Sequence, residues 1–289
     1  MDNDKVALTA LLAFYSETGV DAALSEIAVD RLTSEEHRPN EARIAVAVAR
    51  TPSHVSSARS GSEPIAATGH VGAKSNATLL GTAASPETAR LAAHAAAKAA
   101  QTLEQLRAAL NEFAGCSLRQ TATKLVFADG NPAARVMFVG EAPGREEDIA
   151  GLPFVGRSGK LLDRMMAAIG LDRSQAYIAN IVPWRPPGNR TPTPQESAIC
   201  LPFTLRQIEL ANPDILVCLG APSAQTLLNV RDGILKVRGR WFPFWTGSRE
   251  IRAMATLHPA YLLRQPVQKR FAWRDFLLIK QALSQAAQT

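Results

Sequence analysis

The chain has 289 residues, 46% of them apolar, and carries 32 lysines and arginines against 26 acids for a formal net charge of +6. That supports a full-sized hydrophobic core, in one large domain with appendages or in two small ones, and it favours a polyanionic partner without naming one. No run reaches the roughly eighteen apolar residues of a membrane span, and Cys116, Cys200 and Cys218 are too few and too scattered for a secreted disulfide framework.

The opening Met1-Asp2-Asn3-Asp4 has no basic stretch leading into an apolar one, so no secretory signal is expected and a reducing cytoplasm is the expected compartment. Residues 5–30 hold one or two short amphipathic helices, with Leu8, Leu11, Leu12 and Tyr15 near helical spacing and a break at Gly19. From 31 to 84 the chain turns to Ser, Ala, Thr and Gly. The stretch from Thr51 to Pro64 cannot bury enough surface to offset its ordering entropy, so 31–84 reads as a mobile linker. Ser85-Pro86-Glu87 offers a capping hydroxyl, a proline for the first helical position and an acid for the positive dipole end. It predicts one alanine-rich helix running to Phe113 and stopping at Gly115, the start of a domain spanning 85–289.

Beyond that point short β-branched runs at Arg135–Val139, Tyr177–Val182, Ile215–Leu219 and Ile251–Leu257 alternate with helical stretches at Gly159–Ile169, Thr193–Leu210 and Ser223–Val230. This alternation predicts β-α-β units, hence an α/β fold in three layers with a short central parallel sheet between helices.

Ligands of such sheets bind outside the carboxyl ends of the strands. Gly140-Glu141-Ala142-Pro143-Gly144 follows the first strand, and Asn180 closes the second. Gly220-Ala221-Pro222 follows the third, and His258-Pro259-Ala260-Tyr261 the fourth. A carboxylate, a carboxamide and an imidazole thus converge on one edge. Two nucleotide-loop readings fail: Gly159-Lys160 is followed by Leu161 with the wrong upstream glycine spacing, and Gly140–Gly144 does not match G-x-G-x-x-G. Without further information Glu141 reads equally as a helix cap, His258 as a structural histidine, Asn180 as a turn residue and Phe154 as core.

The runs Gly140–Asp148, Gly151-Leu-Pro-Phe-Val-Gly156, Arg185-Pro-Pro-Gly-Asn-Arg-Thr-Pro-Thr-Pro194 and His258-Pro-Ala-Tyr-Leu-Leu-Arg264 resemble, in order and spacing, the family 4 uracil-DNA glycosylases over about 113–282. The resemblance implies the uracil-glycosylase fold and a monomer acting on uracil-containing DNA. It implies hydrolysis of the N-glycosidic bond after base flipping, releasing free uracil and leaving an abasic site in base excision repair. Phe154 would be the ring on which the flipped base stacks. Asn180 would accept from uracil N3–H and donate to O4, a pattern that cytosine reverses. His258 would stabilise the charge developing on O2, helped by backbone N–H groups of the Gly140–Gly144 turn including Ala142. Glu141 would orient water or stabilise the cationic sugar, with Glu147 as the second acid. Tyr261, Leu262, Leu263 and Arg264 would form a loop pressing into the minor groove, and Arg185, Arg190, Lys269 and Arg270 would meet phosphates. The Leu262–Leu263 pair also reads as ordinary helix packing, and each basic residue as part of a solvated face.

The family's iron–sulfur cluster rests on four cysteines, and here those positions read Phe113, Cys116, Trp184 and Cys200. Two thiolates cannot supply four ligands, so no cofactor and no metal are expected. Phe113 and Trp184 would instead fill the cluster's volume, and Cys218 reads as a small buried hydrophobe. Because the family's cluster lies away from the uracil pocket, its loss leaves catalysis expected. No lysine in these motifs is placed as a Schiff-base nucleophile, so no lyase step is expected. The competing expectations are a DNA-binding relative without activity, docking to repair or replication proteins through residues 1–30, and a glycosylase for other damaged bases.

Overall fold

In the computed structural model, which describes residues 85–285, short apolar strands alternate with helices. The helices expected in 5–30 and the linker at 31–84 lie outside the described residues. Along the chain run α1 (Pro86–Ala99), α2 (Leu103–Glu112), α3 (Leu118–Thr121), β1 (Asp129–Gly130), β2 (Val136–Gly140), α4 (Arg145–Ala150) and α5 (Arg157–Ala167). They continue as β3 (Ala176–Asn180), α6 (Pro194–Ala211), β4 (Ile215–Leu219), α7 (Ala221–Leu228), α8 (Ile234–Val237), β5 (Trp241–Trp245), β6 (Glu250–Thr256), α9 (Pro259–Arg264) and α10 (Lys269–Gln285).

The strands form one mixed sheet in the order β1-β3-β2-β4-β6-β5. Its four central strands are parallel, as the alternating pattern predicts, and antiparallel β1 and β5 close the two edges. Neither edge strand is among the predicted ones. β1 has only two residues, and the Trp-Phe-Pro-Phe-Trp run of β5 carries Pro243, which argues against an interior strand but is tolerated at an edge.

Successive side chains of a strand point to opposite faces, and each face here is apolar. Met137, Val139, Tyr177, Leu216 and Cys218 meet α1, α2, α6 and α7 on one side. Val136, Phe138, Ile178, Ile215 and Val217 meet α5 and α10 on the other. The result is the expected three layers.

The predicted single helix from Ser85 to Phe113 is two helices. Ser85 caps the first as expected, its hydroxyl accepting from Thr88 N–H at 3.2 Å. The second begins at Thr102, whose hydroxyl accepts from Gln105 N–H at 3.2 Å. Arg206 of α6 takes the Ala100 carbonyl between them with two N–H donors at 2.9 and 2.8 Å. A threonine cap and a long-range arginine thus override the helix propensity of the alanine run.

Candidate active site

All four parallel strands end on the same edge, which brings Gly140, Asn180, Gly220 and His258 together. A Cβ on Gly140 would collide with Asn180 Oδ1 and lie 2.6 Å from Phe154 Cζ, so only glycine lets both side chains close over the strand end. The turn that follows is laced to the segment after β3: Ile181 N–H donates to Gly140 O and Val182 N–H to Glu141 O, each at 3.0 Å. Buried Ser223 of α7 donates to Val139 O at 2.7 Å, tying the strand end to a third element.

Glu147 sits in the first turn of α4, and both its oxygens are engaged. Oε2 accepts from Gly144 N–H at 3.1 Å, and Oε1 accepts from Val155 N–H at 3.1 Å and Gly156 N–H at 2.9 Å. This carboxylate therefore staples the loop carrying Phe154 to the Gly140–Gly144 turn, and it takes the Gly144 N–H out of the set that could meet a substrate oxygen. Phe154 is 4% exposed and holds a left-handed φ of 54°, a conformation that is costly for a bulky side chain. Its ring stands 5.5 Å from the His258 imidazole, tilted by 31°.

Glu141, Glu147, Phe154, Asn180 and His258 line a cleft of about 610 Å³ together with Ala142, Tyr261 and Arg264. Two buried side-chain oxygens in it, Glu141 Oε1 and Asn180 Oδ1, have no hydrogen-bond partner among the described residues. An unsatisfied buried polar atom costs about 1–3 kcal/mol, and two in one cleft mark a place built to receive a polar ligand. Burial raises the Glu141 carboxyl above the usual carboxylate range, with the Thr191 side chain partly opposing the shift. His258 caps α9, its Nδ1 accepting from Ala260 N–H at 3.0 Å, so a neutral ring carries its proton on Nε2. Burial, and then the charge of Arg264, lower its pKa to about 4, which keeps the ring neutral near pH 7.

The uracil DNA glycosylase superfamily profile matches residues 127–278, the stretch that holds every residue of this cleft. A type-4 uracil-DNA glycosylase of Archaeoglobus fulgidus is 42% identical over 165 residues, 56% of this chain and 83% of that protein. A type-4 uracil-DNA glycosylase of Thermotoga maritima is 42% identical over 165 residues, covering 57% and 84%, and one of Sulfurisphaera tokodaii is 39% identical over 185 residues, covering 62% and 84%. The chain belongs to the uracil DNA glycosylase superfamily. Within it, the likeness is to the type-4 members.

The segment expected to be a groove-pressing loop in this superfamily member is the short helix α9. Leu262 is 1% exposed and packs with Leu257 and Ala272, so it is core and not a DNA contact, a correction forced by helical spacing that turns it inward. Leu263 and Arg264 face solvent, and Tyr261 and Arg264 line the cleft. Arg190 reaches the cleft rim, but its guanidinium is paired with both oxygens of Glu196 at 2.8 and 2.7 Å. Arg185 donates to Asn189 Oδ1 at 2.7 Å, and its Nη1 is 4.0 Å from Asp148. Both arginines therefore brace the Pro186–Pro194 segment before any phosphate contact. Exposed Arg270 stands over the Phe271 ring at 4.8 Å.

An iron–sulfur group requires four thiolate donors. The sulfurs of Cys116 and Cys200 touch at 4.0 Å, both buried. Phe113 and Trp184 share their apolar cluster, Phe113 packing edge-on against Phe203 at 5.1 Å. Two thiols in mutual contact beside two aromatic rings do not fit a four-thiolate group. No grouping of three or more His, Cys, Asp or Glu that could hold a metal ion occurs among the described residues.

Sequence reasoning assigns no role to three residues that shape the site. Thr191, beside Glu141, lies inside the quoted Arg185–Pro194 motif, which was its available signal. Ser223 follows Gly220-Ala221-Pro222 and could have been suspected from the sharp strand-to-helix turn. Arg173, which reaches the Phe154 carbonyl, lies in a Leu171-Asp172-Arg173-Ser174 turn with no motif to flag it.

Proposed function

We propose that the chain removes uracil from DNA by hydrolysing its N-glycosidic bond, without a resident iron–sulfur cluster. The observation that carries this reading is the pair of unpartnered buried oxygens, Glu141 Oε1 and Asn180 Oδ1, set in one cleft beside Phe154 and a neutral His258. A flipped uracil that stacks on Phe154 presents N3–H to Asn180 Oδ1. The carboxamide N–H of Asn180 then meets O4, whereas cytosine offers a lone pair and an amino group in the opposite order. As the C1′–N1 bond breaks, the electron pair leaves with the base and spreads onto O2. The Nε2–H of His258 donates to that oxygen, a pre-set dipole at the atom where charge develops. Glu141 faces the positive sugar, orients a water whose oxygen attaches to C1′, and takes up the proton it sheds. Glu147 acts one step back by holding the loop of Phe154.

DNA is the proposed partner, bound as a monomer, with exposed Leu263, Arg264 and Arg270 offering an apolar wedge and charges for phosphates. The cytoplasm is the proposed compartment.

Incubation with oligonucleotides bearing uracil, hypoxanthine or an oxidised pyrimidine, followed by alkaline cleavage, tests the reading. Strand breaks at uracil alone are expected, lost in Asn180→Ala and reduced about 10²–10³-fold in His258→Ala. No break at any base would leave the DNA-binding reading in its place, and breaks at another lesion alone would reassign the substrate.

A further inference from the structure

The left-handed φ of Phe154 needs a cause, since nothing in an aromatic side chain favours it. The torsion lies between the carbonyl carbons of Pro153 and Phe154, and one side chain grips both carbonyl oxygens. Arg173 donates from Nη1 to Pro153 O at 3.2 Å and from Nη2 to Phe154 O. Its guanidinium is itself fixed by two acids: Nε donates to Asp163 Oδ1 of α5 at 2.8 Å, and Nη1 to Asp129 of β1. One carboxylate would balance its charge, so the second serves orientation, and the planar fork is left pointing at successive carbonyls. Glu147 in turn holds the next two amides, those of Val155 and Gly156. Gly159 completes the clamp, because a Cβ there would collide with the Phe154 carbonyl oxygen.

We infer that Arg173, which does not line the cleft, is a positioning residue that holds Phe154 in the strained conformation required for its ring to lie at the base site. This rests on the proposed role of Phe154 as the stacking surface for uracil. Arg173 would thereby act on the bond-breaking step through one aromatic ring, with no contact to substrate. Misplacing a binding group by about 1 Å costs on the order of 10²-fold in rate, which sets the size of effect to look for.

The test is a double-mutant cycle of Arg173→Met and Phe154→Ala in the full chain, read as single-turnover uracil excision and as affinity for the same duplex without uracil. Arg173→Met is expected to slow excision about 10- to 100-fold with plain-duplex affinity unchanged. In the Phe154→Ala background the same change is expected to cost less than about 2-fold, because its route of action is gone. Arg173→Lys keeps the charge for Asp163 and Asp129 but loses the planar fork, and is expected to fall between. Equal losses in both backgrounds, or a loss that tracks the fraction unfolded in Arg173→Lys as well, would overturn the inference. Failure of the wild-type chain to excise uracil would instead strike the functional reading beneath it.

Discussion

At the cleft, His258 is held as an acceptor by the Ala260 amide and kept neutral by burial. Its folded pKa near 4 lies below the ordinary 6.5, so on acidification the unfolded chain takes up the proton first. Stability is therefore complete above about pH 6.5 and falls as pH drops towards 4, by at most about 1.4 kcal/mol per pH unit from this group. Urea unfolding of wild type and His258→Asn at pH 7 and pH 5 should show the wild type losing more, and equal losses would refute the assignment. Glu141 titrates in the opposite sense. Its raised pKa means the carboxylate needed for water is protonated before ordinary acids are, so the acid limb of the excision rate should belong to Glu141. Glu141→Gln should remove most activity at every pH and leave no such limb.

At the level of elements, the loop between α4 and α5 is set by close approach more than by composition. Gly159→Ala should push the Phe154 carbonyl away and lower excision more than it lowers the melting temperature, measured side by side on the same preparation. The four parallel strands and helices α5, α6 and α7 were legible because apolar runs of five residues and helical spacing act locally: those strands lie within two residues of their predicted bounds. Glu141, Asn180 and His258 were legible because each stands just after, or last in, a readable strand. What stayed hidden depends on partners distant in sequence. The break before Thr102 depends on Arg206, the inward turn of Leu262 on α10, and the clamp on Phe154 on an arginine nineteen residues away in an unremarkable turn. Edge strand β5 was masked by its own proline.

Across the whole molecule, the described helices α1, α2 and α3, which precede the superfamily-matched stretch, belong to the same core. Ala89, Ala93 and Ala97 of α1 are buried in the apolar cluster that holds Phe113, Trp184, Cys116 and Cys200. If that cluster has replaced metal ligation, stability should reside in packing. Trp184→Ala should cost about 3–5 kcal/mol by urea denaturation, whereas a strong chelator should leave the wild-type midpoint unmoved. Stoichiometric iron with a thiolate-to-iron absorption band in the purified protein would refute it.

The unpartnered Asn180 oxygen also has a thermodynamic reach beyond selectivity. A folded chain with an unmet acceptor is stabilised by any molecule that donates to it, in proportion to the logarithm of its concentration over its Kd. The released base retains the N3–H that was read in the DNA, so the product is itself a ligand of the folded state. Free uracil should therefore raise the melting temperature and slow turnover as it accumulates, while cytosine, lacking that donor, should do neither. Vacating the cleft then becomes a step with its own barrier, set by the same oxygen that chooses the substrate.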